Sequence, residues 1–164
     1  MVIELGEQAR DFSIPDQNGN TVRLSGFSGR RIILSFHPLA WTRICAEQMK
    51  ALEVNREAFE ELGAVALGIS VDSVPCKRAW AGSLGIKKTL LLADFWPHGE
   101  VAQMYDVFDG TKGYARRANI VIDEVGRIIF VAEYPATTVP DMQDVKGALQ
   151  AHERSRRVEE MPLA

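Results

Sequence analysis

The chain has 164 residues, 46% of them hydrophobic, which is enough to fill one core, and a formal net charge of -3 with acidic and basic residues interspersed. No run of Lys or Arg is placed to neutralise successive phosphates, which argues against nucleic acid, and no window approaches the roughly 18 unbroken apolar residues of a membrane span. The opening MVIELGEQARDFSIPD lacks a basic region leading into a long apolar core, so the expectation is one unexported, cytoplasmic domain over residues 1–164 without nucleic-acid or membrane partners.

Taken in chain order, Gln17-Asn18-Gly19-Asn20 stands between the runs FSIP and TVRL and predicts an N-terminal β-hairpin over Asp11 to Leu24. The β-rich run from Arg31 to Phe36 ends at His37-Pro38, where proline stops a central ladder. From Thr42 to Leu62 the apolar residues Ile44, Met49, Leu52, Phe59 and Leu62 fall mostly at helical separations, and Gly63 suits a C-cap, so one long helix is predicted. Ala64 to Asp72 reads as a second buried strand, and Ser73-Val74-Pro75 opens a helix carrying Trp80 and Leu84. Leu90 to Leu92 is a third short strand, followed by Asp94-Phe95-Trp96-Pro97-His98-Gly99 and a short helix through Met104. Ala118 to Asp123 and Arg127 to Tyr134 flank a four-residue turn, and an amphipathic helix runs from Asp141 to about Arg157.

Strand, helix, strand, helix, then a late hairpin and a closing helix predict an α/β chain: a thioredoxin-like three-layer fold with a central mixed β-sheet and the N-terminal hairpin. In such sheets the functional crevice lies beyond the carboxyl ends of the strands. The chain's two cysteines, Cys45 and Cys76, each follow one of the parallel strands, so both thiols belong at that edge. Two cysteines are too few for a disulfide scaffold and lack the paired C-x-x-C spacing of a zinc site.

A thiol attacks as its thiolate, which a helix N-terminus or a nearby cation favours. Cys45 lies in the first turn of the helix predicted from Thr42, a candidate N-cap whose hydroxyl can face a sulfur or a peroxide oxygen. Pro38 can shield the pocket from bulk water. The run Pro38-Leu39-Ala40-Trp41-Thr42-Arg43-Ile44-Cys45 resembles the peroxiredoxin signature P-x-x-x-T-x-x-C, and Asp11-Phe12, Ser70-Val71-Asp72-Ser73 with Trp80, Tyr105-Asp106-Val107 and Arg117 before Ile120-Val121-Ile122-Asp123 extend the resemblance along the chain.

The resemblance implies a thiol-dependent peroxidase. Cys45 would be the peroxidatic cysteine, Thr42 and Arg117 would orient the peroxide, and Pro38 would be the shield. Arg116 is an equal candidate by chemistry, and the family spacing of Arg before three apolar residues and Asp selects Arg117. The segment Asp94 to Gly99 and the run Phe36 to Thr42 are most similar to the E-type alkyl hydroperoxide reductases. Gln48 stands where many members have Glu.

The implied cycle uses no metal or other cofactor. A hydroperoxide oxidises Cys45 to a sulfenic acid, which is recycled by Cys76 as resolving thiol, or by a thioredoxin-like protein or low-molecular-weight thiol. The alternatives are a strictly one-cysteine enzyme with a structural Cys76 and a redox-sensing interaction protein. A thioredoxin-like disulfide oxidoreductase is disfavoured, because Cys45 is followed by Ala46-Glu47-Gln48. His37 is either a packed strand-end side chain or a group that polarises Cys45. The family implies a homodimer, with Phe95 and Trp96 assigned to packing or to the dimer surface.

Overall fold

The structure is a computed structural model that describes residues 3–162; residues 1, 2, 163 and 164 of the predicted 1–164 span lie outside it. Strands β1 (Ser13–Pro15) and β2 (Thr21–Arg23) form the predicted N-terminal hairpin. Its turn is fixed by the Asp16 carboxylate, which accepts the backbone N–H groups of Asn18 and Asn20. The central sheet has the order β5-β4-β3-β8-β9, built from β3 (Arg31–Phe36), β4 (Ala64–Ser70), β5 (Leu90–Ala93), β8 (Arg117–Ile122) and β9 (Ile128–Tyr134). β3 runs parallel to β4 and β4 to β5, whereas β8 is antiparallel to both β3 and β9, so the sheet is mixed as predicted.

All six residues of β3 are buried, as expected of a strand covered on both faces. Side chains alternate between faces, so Ile32, Leu34 and Phe36 enter the core beside the hairpin. Ile33 packs instead among Met49, Leu52 and Phe59 of α1 (Arg43–Val54) and α2 (Arg56–Glu61), Trp80 of α3 (Val74–Leu84) and Val145 of α5 (Met142–Glu160). Gly68 in β4 permits the close approach of α1, because a Cβ there would run into the Met49 sulfur. This three-layer arrangement, with helices on one face and the hairpin side on the other, is thioredoxin-like.

Two elements depart from the sequence reading. The helix predicted over Thr42 to Leu62 is broken at Asn55, whose side-chain amide donates to the Ala51 carbonyl at 2.7 Å and competes with the helical ladder. A small hairpin of β6 (Phe108–Asp109) and β7 (Tyr114–Ala115) follows α4 (Glu100–Met104), where the sequence analysis assigned none. Each of its strands has only two residues, too short to show alternation.

Candidate active site

Register and side-chain parity build the site. Arg117 and Asn119 occupy alternate positions of β8 and therefore share its α1 face, and Asn119 pairs directly across from Ser35 of β3. Arg116 precedes the strand and turns away, where its guanidinium binds the Asp106 and Phe108 carbonyls and Glu133. The strand pleat thus selects Arg117 over its neighbour on physical grounds.

Cys45 is the third residue of α1 and only 1% exposed. The first backbone bond of the helix runs from the Ala46 N–H to the Thr42 carbonyl, so the amide of Cys45 is among the donors at the helix start, and no acidic residue occupies that turn. Nη1 of Arg117 lies 3.4 Å from the Cys45 Sγ. The same nitrogen donates to Gln48 Oε1 at 2.7 Å, and Nη2 donates to the Ala136 carbonyl at 2.9 Å. Gln48 is held in turn, because its amide donates to Ser35 Oγ and to the Phe36 carbonyl, and Ser35 donates to Asn119 Oδ1. A buried polar chain therefore locks the guanidinium against the sulfur.

The other predicted residues take distinct places. Thr42 occupies the N-cap position of α1, but its hydroxyl donates to the Leu39 carbonyl at 2.7 Å instead of capping the helix. With its proton committed there, the oxygen presents lone pairs as an acceptor. Pro38 is half-buried two residues beyond the end of β3. His37 is fully buried, and its Nε2 lies 3.3 Å from the Lys77 ammonium, so its hydrogen-bonding partner is Lys77 and not Cys45. Burial, reinforced by the Lys77 and Arg117 charges, holds the His37 pKa well below the usual imidazole range.

Cys76 is half-buried near the start of α3, and its thiol donates to Asp72 Oδ1 at 3.7 Å. Burial and then the Asp72 charge push the Cys76 pKa upward, which disfavours its thiolate. The two cysteines are not joined to each other. Asp72 Oδ2 also accepts the Ala40 N–H at 2.8 Å, which ties the loop before Cys45 to the loop before Cys76.

Phe95 and Trp96 are exposed, 52% and 79%, so packing within the chain does not explain them. Among the described residues no group of three or more His, Cys, Asp or Glu side chains converges as a metal site.

Sequence reasoning passed over Lys77, Ser35 and Asn119, and it gave Asp72 and Gln48 no role. The available signal for Gln48 was its place three residues after Cys45 on one helix face. Lys77 similarly falls one turn before the buried Trp80 and Ala81.

A buried cysteine at a helix N-terminus, touched by a locked guanidinium on a thioredoxin-like sheet, defines a thiol-based redox enzyme. The AhpC/TSA family profile matches residues 5–131. The chain is 38% identical to alkyl hydroperoxide reductase E of Mycobacterium tuberculosis over 151 residues, covering 92% of this chain and 98% of that protein. It is 33% identical to mouse peroxiredoxin-2 over 143 residues, 80% of this chain and 71% of that one. Among solved structures, peroxidoxin BcpB from Mycobacterium tuberculosis superposes with a TM-score of 0.81 at 27% identity, covering 91% of this chain and 97% of that one. Reduced 2-Cys peroxiredoxin from Plasmodium vivax shares the fold with a TM-score of 0.86 at 24% identity, over 99% of this chain and 88% of that one. The chain belongs to the AhpC/TSA family and is a peroxiredoxin, a thiol-dependent peroxidase acting on a peroxide with a thiol as reductant.

Proposed function

We propose that Cys45 is the peroxidatic cysteine and that it passes through a sulfenic acid. Its thiolate attacks the terminal oxygen of a hydroperoxide, an S–O bond forms as the O–O bond breaks, and the departing alkoxide or hydroxide takes a proton from water to leave as alcohol or water. Arg117 holds the thiolate and then the charge developing on the leaving oxygen. The Thr42 oxygen accepts the hydrogen of the incoming peroxide, and Pro38 limits water at the mouth. The observation that carries this reading is the 3.4 Å contact between Arg117 Nη1 and the buried Cys45 sulfur at the start of α1.

For recycling, Cys76 displaces water from the sulfenic acid to give an intramolecular disulfide, with Asp72 taking the Cys76 proton and returning it to the departing hydroxide. The first turn of α1 has to open, since Cys45 is buried and the cysteines begin different helices. A thioredoxin-like protein or a low-molecular-weight thiol then reduces the disulfide. The upward push on the Cys76 pKa favours a second reading, in which an external thiol attacks the sulfenic acid directly. Intact mass after one equivalent of peroxide separates them: loss of two hydrogens supports Cys76, and a persistent gain of one oxygen supports the external thiol. The exposed Phe95 and Trp96 are the surface we assign to a second copy of the chain in a homodimer, and a monomeric mass by sedimentation would refute it.

A further inference from the structure

Lys77 is a buried cation in the helical layer. It is fully buried, and it sits in the opening turns of α3, where a cation opposes the helix dipole. Taking an ammonium out of water demands compensation from partners. The usual compensation is absent: Arg31 is matched by Glu124 and Glu153, whereas Lys77 has no ion-pair partner among the described residues. Its hydrogen-bond contact is His37 Nε2. Because His37 is held neutral, the ammonium donates to Nε2 and the ring proton resides on Nδ1, which has no partner among the described residues.

The anionic and potentially anionic groups facing Lys77 come from several elements. Asp72 lies after β4, Cys45 on α1, Cys76 on α3 and Asp94 after β5. The charge of Arg117 on β8 also acts on His37. Burial lowers the Lys77 pKa to about 7, although each of those four groups pulls it upward. Two of the four are the cysteine sulfurs.

We infer that Lys77, oriented by His37, is a second cationic residue of the peroxidase site, supplying positive potential to the Cys45 and Cys76 sulfurs from within the core while Arg117 contacts Cys45 directly. The inference rests on the assignment of these thiols as the reacting groups. Lys77 acts through them as a positioning charge and touches no substrate. The coupling has a direction: the support is strongest below about pH 7, where Lys77 is charged, and fades above it as the amine deprotonates.

The test follows thiolate absorbance at 240 nm against pH in a Cys76→Ser background, where Cys45 alone reports. Lys77→Met is expected to lower the Cys45 thiolate signal at pH 7 by about threefold or more, and the second-order rate with hydrogen peroxide by the same factor. Lys77→Arg keeps the cation and restores the signal, now sustained to higher pH. Lys77→Gln retains a hydrogen-bond donor to His37 without the charge and is expected to follow Lys77→Met. An unchanged thiolate signal in Lys77→Met, or wild-type behaviour in Lys77→Gln, overturns the inference. The absorbance is read without peroxide, so a wild-type protein inert to peroxide would end the peroxidase assignment while this measurement still stood.

Discussion

Replacing Arg117 with alanine removes the cation in contact with the Cys45 sulfur, the atom proposed to attack the peroxide. A unit charge 3.4 Å from a thiolate, at the effective dielectric of about 20 suited to protein sites, is worth about 5 kcal/mol. Water entering the vacated space recovers part of that, leaving about 3 kcal/mol, the scale of one preorganised electrostatic donor. At 1.36 kcal/mol per decade, peroxide oxidation of Cys45 should slow by about 10²-fold. The variant also strips the donor from Gln48 Oε1 and the Ala136 carbonyl, so a stability loss of about 1–3 kcal/mol accompanies it. Arg117→Lys separates the effects, since it keeps a charge but cannot serve sulfur, amide and carbonyl together, and it should fall between wild type and alanine. The assay is stopped-flow tryptophan fluorescence of the reduced protein mixed with peroxide, on samples shown folded by circular dichroism. Arg116→Ala is the control, because that side chain binds Glu133 and the β6 region away from the sulfur. An unchanged rate constant in Arg117→Ala, or an equal loss in Arg116→Ala, would refute the argument.

Cys45→Ser should abolish peroxide consumption with the fold intact, because serine is close to isosteric but its hydroxyl is not appreciably ionised near neutrality; residual turnover near wild type in a peroxide-consumption assay would remove Cys45 from the chemistry. Thr42→Val should slow sulfenic acid formation by about 10²-fold, measured by the same stopped-flow experiment, with little change in melting temperature because the hydroxyl makes one bond at the surface. Cys76→Ser should convert the oxidised product from a disulfide to a lasting sulfenic acid by intact mass, and equal recycling of variant and wild type by a redoxin would show Cys76 to be structural. Glu124, pulled to a pKa of about 2 against burial by Arg31 and His152, has a folded value below its unfolded one. Its contribution is therefore present above about pH 4.5 and lost as pH falls toward 2. Glu124→Gln should lower stability by about 1–3 kcal/mol in urea at pH 7, with the gap to wild type closing below pH 4.5; a gap independent of pH would contradict the linkage.

The legible parts of this molecule are those set by short-range chemistry. Asn18-Gly19 announced the first hairpin, His37-Pro38 ended β3, and Pro75 marked the start of α3. The carboxyl edge of the sheet and the two thiols beside it followed from alternating strands and helices. Arg117 was reached by family spacing, although strand parity supplies a reason independent of any family: residues 117 and 119 face α1, and residue 118 faces the other side. The break at Asn55 was hidden because apolar periodicity continues through it to Phe59, and only the side chain's own hydrogen bond reveals the competition. Lys77 was hidden for a deeper reason. Beside Arg78 it reads as part of a solvated helix face, and its burial is decided by contacts with His37, which lies far away in sequence.

The partners of the basic side chains explain what the buried network does for the chemistry. Arg31 and Arg116 meet carboxylates, and their charge is spent on Glu124, Glu153 and Glu133. At the site, Arg117 is held by an amide oxygen and a backbone carbonyl, whereas Lys77 donates to a neutral imidazole with the Asp72 and Asp94 carboxylates also acting on it. Neutral acceptors orient a cation without cancelling it. Gln48 is therefore more than a space-filling residue of α1. Its oxygen fixes Arg117 while its nitrogen donates to Ser35 and Phe36, which a carboxylate has no protons to do. On the proposed mechanism, the positive potential of Arg117 then remains for the sulfur anion before reaction and for the departing oxygen during it.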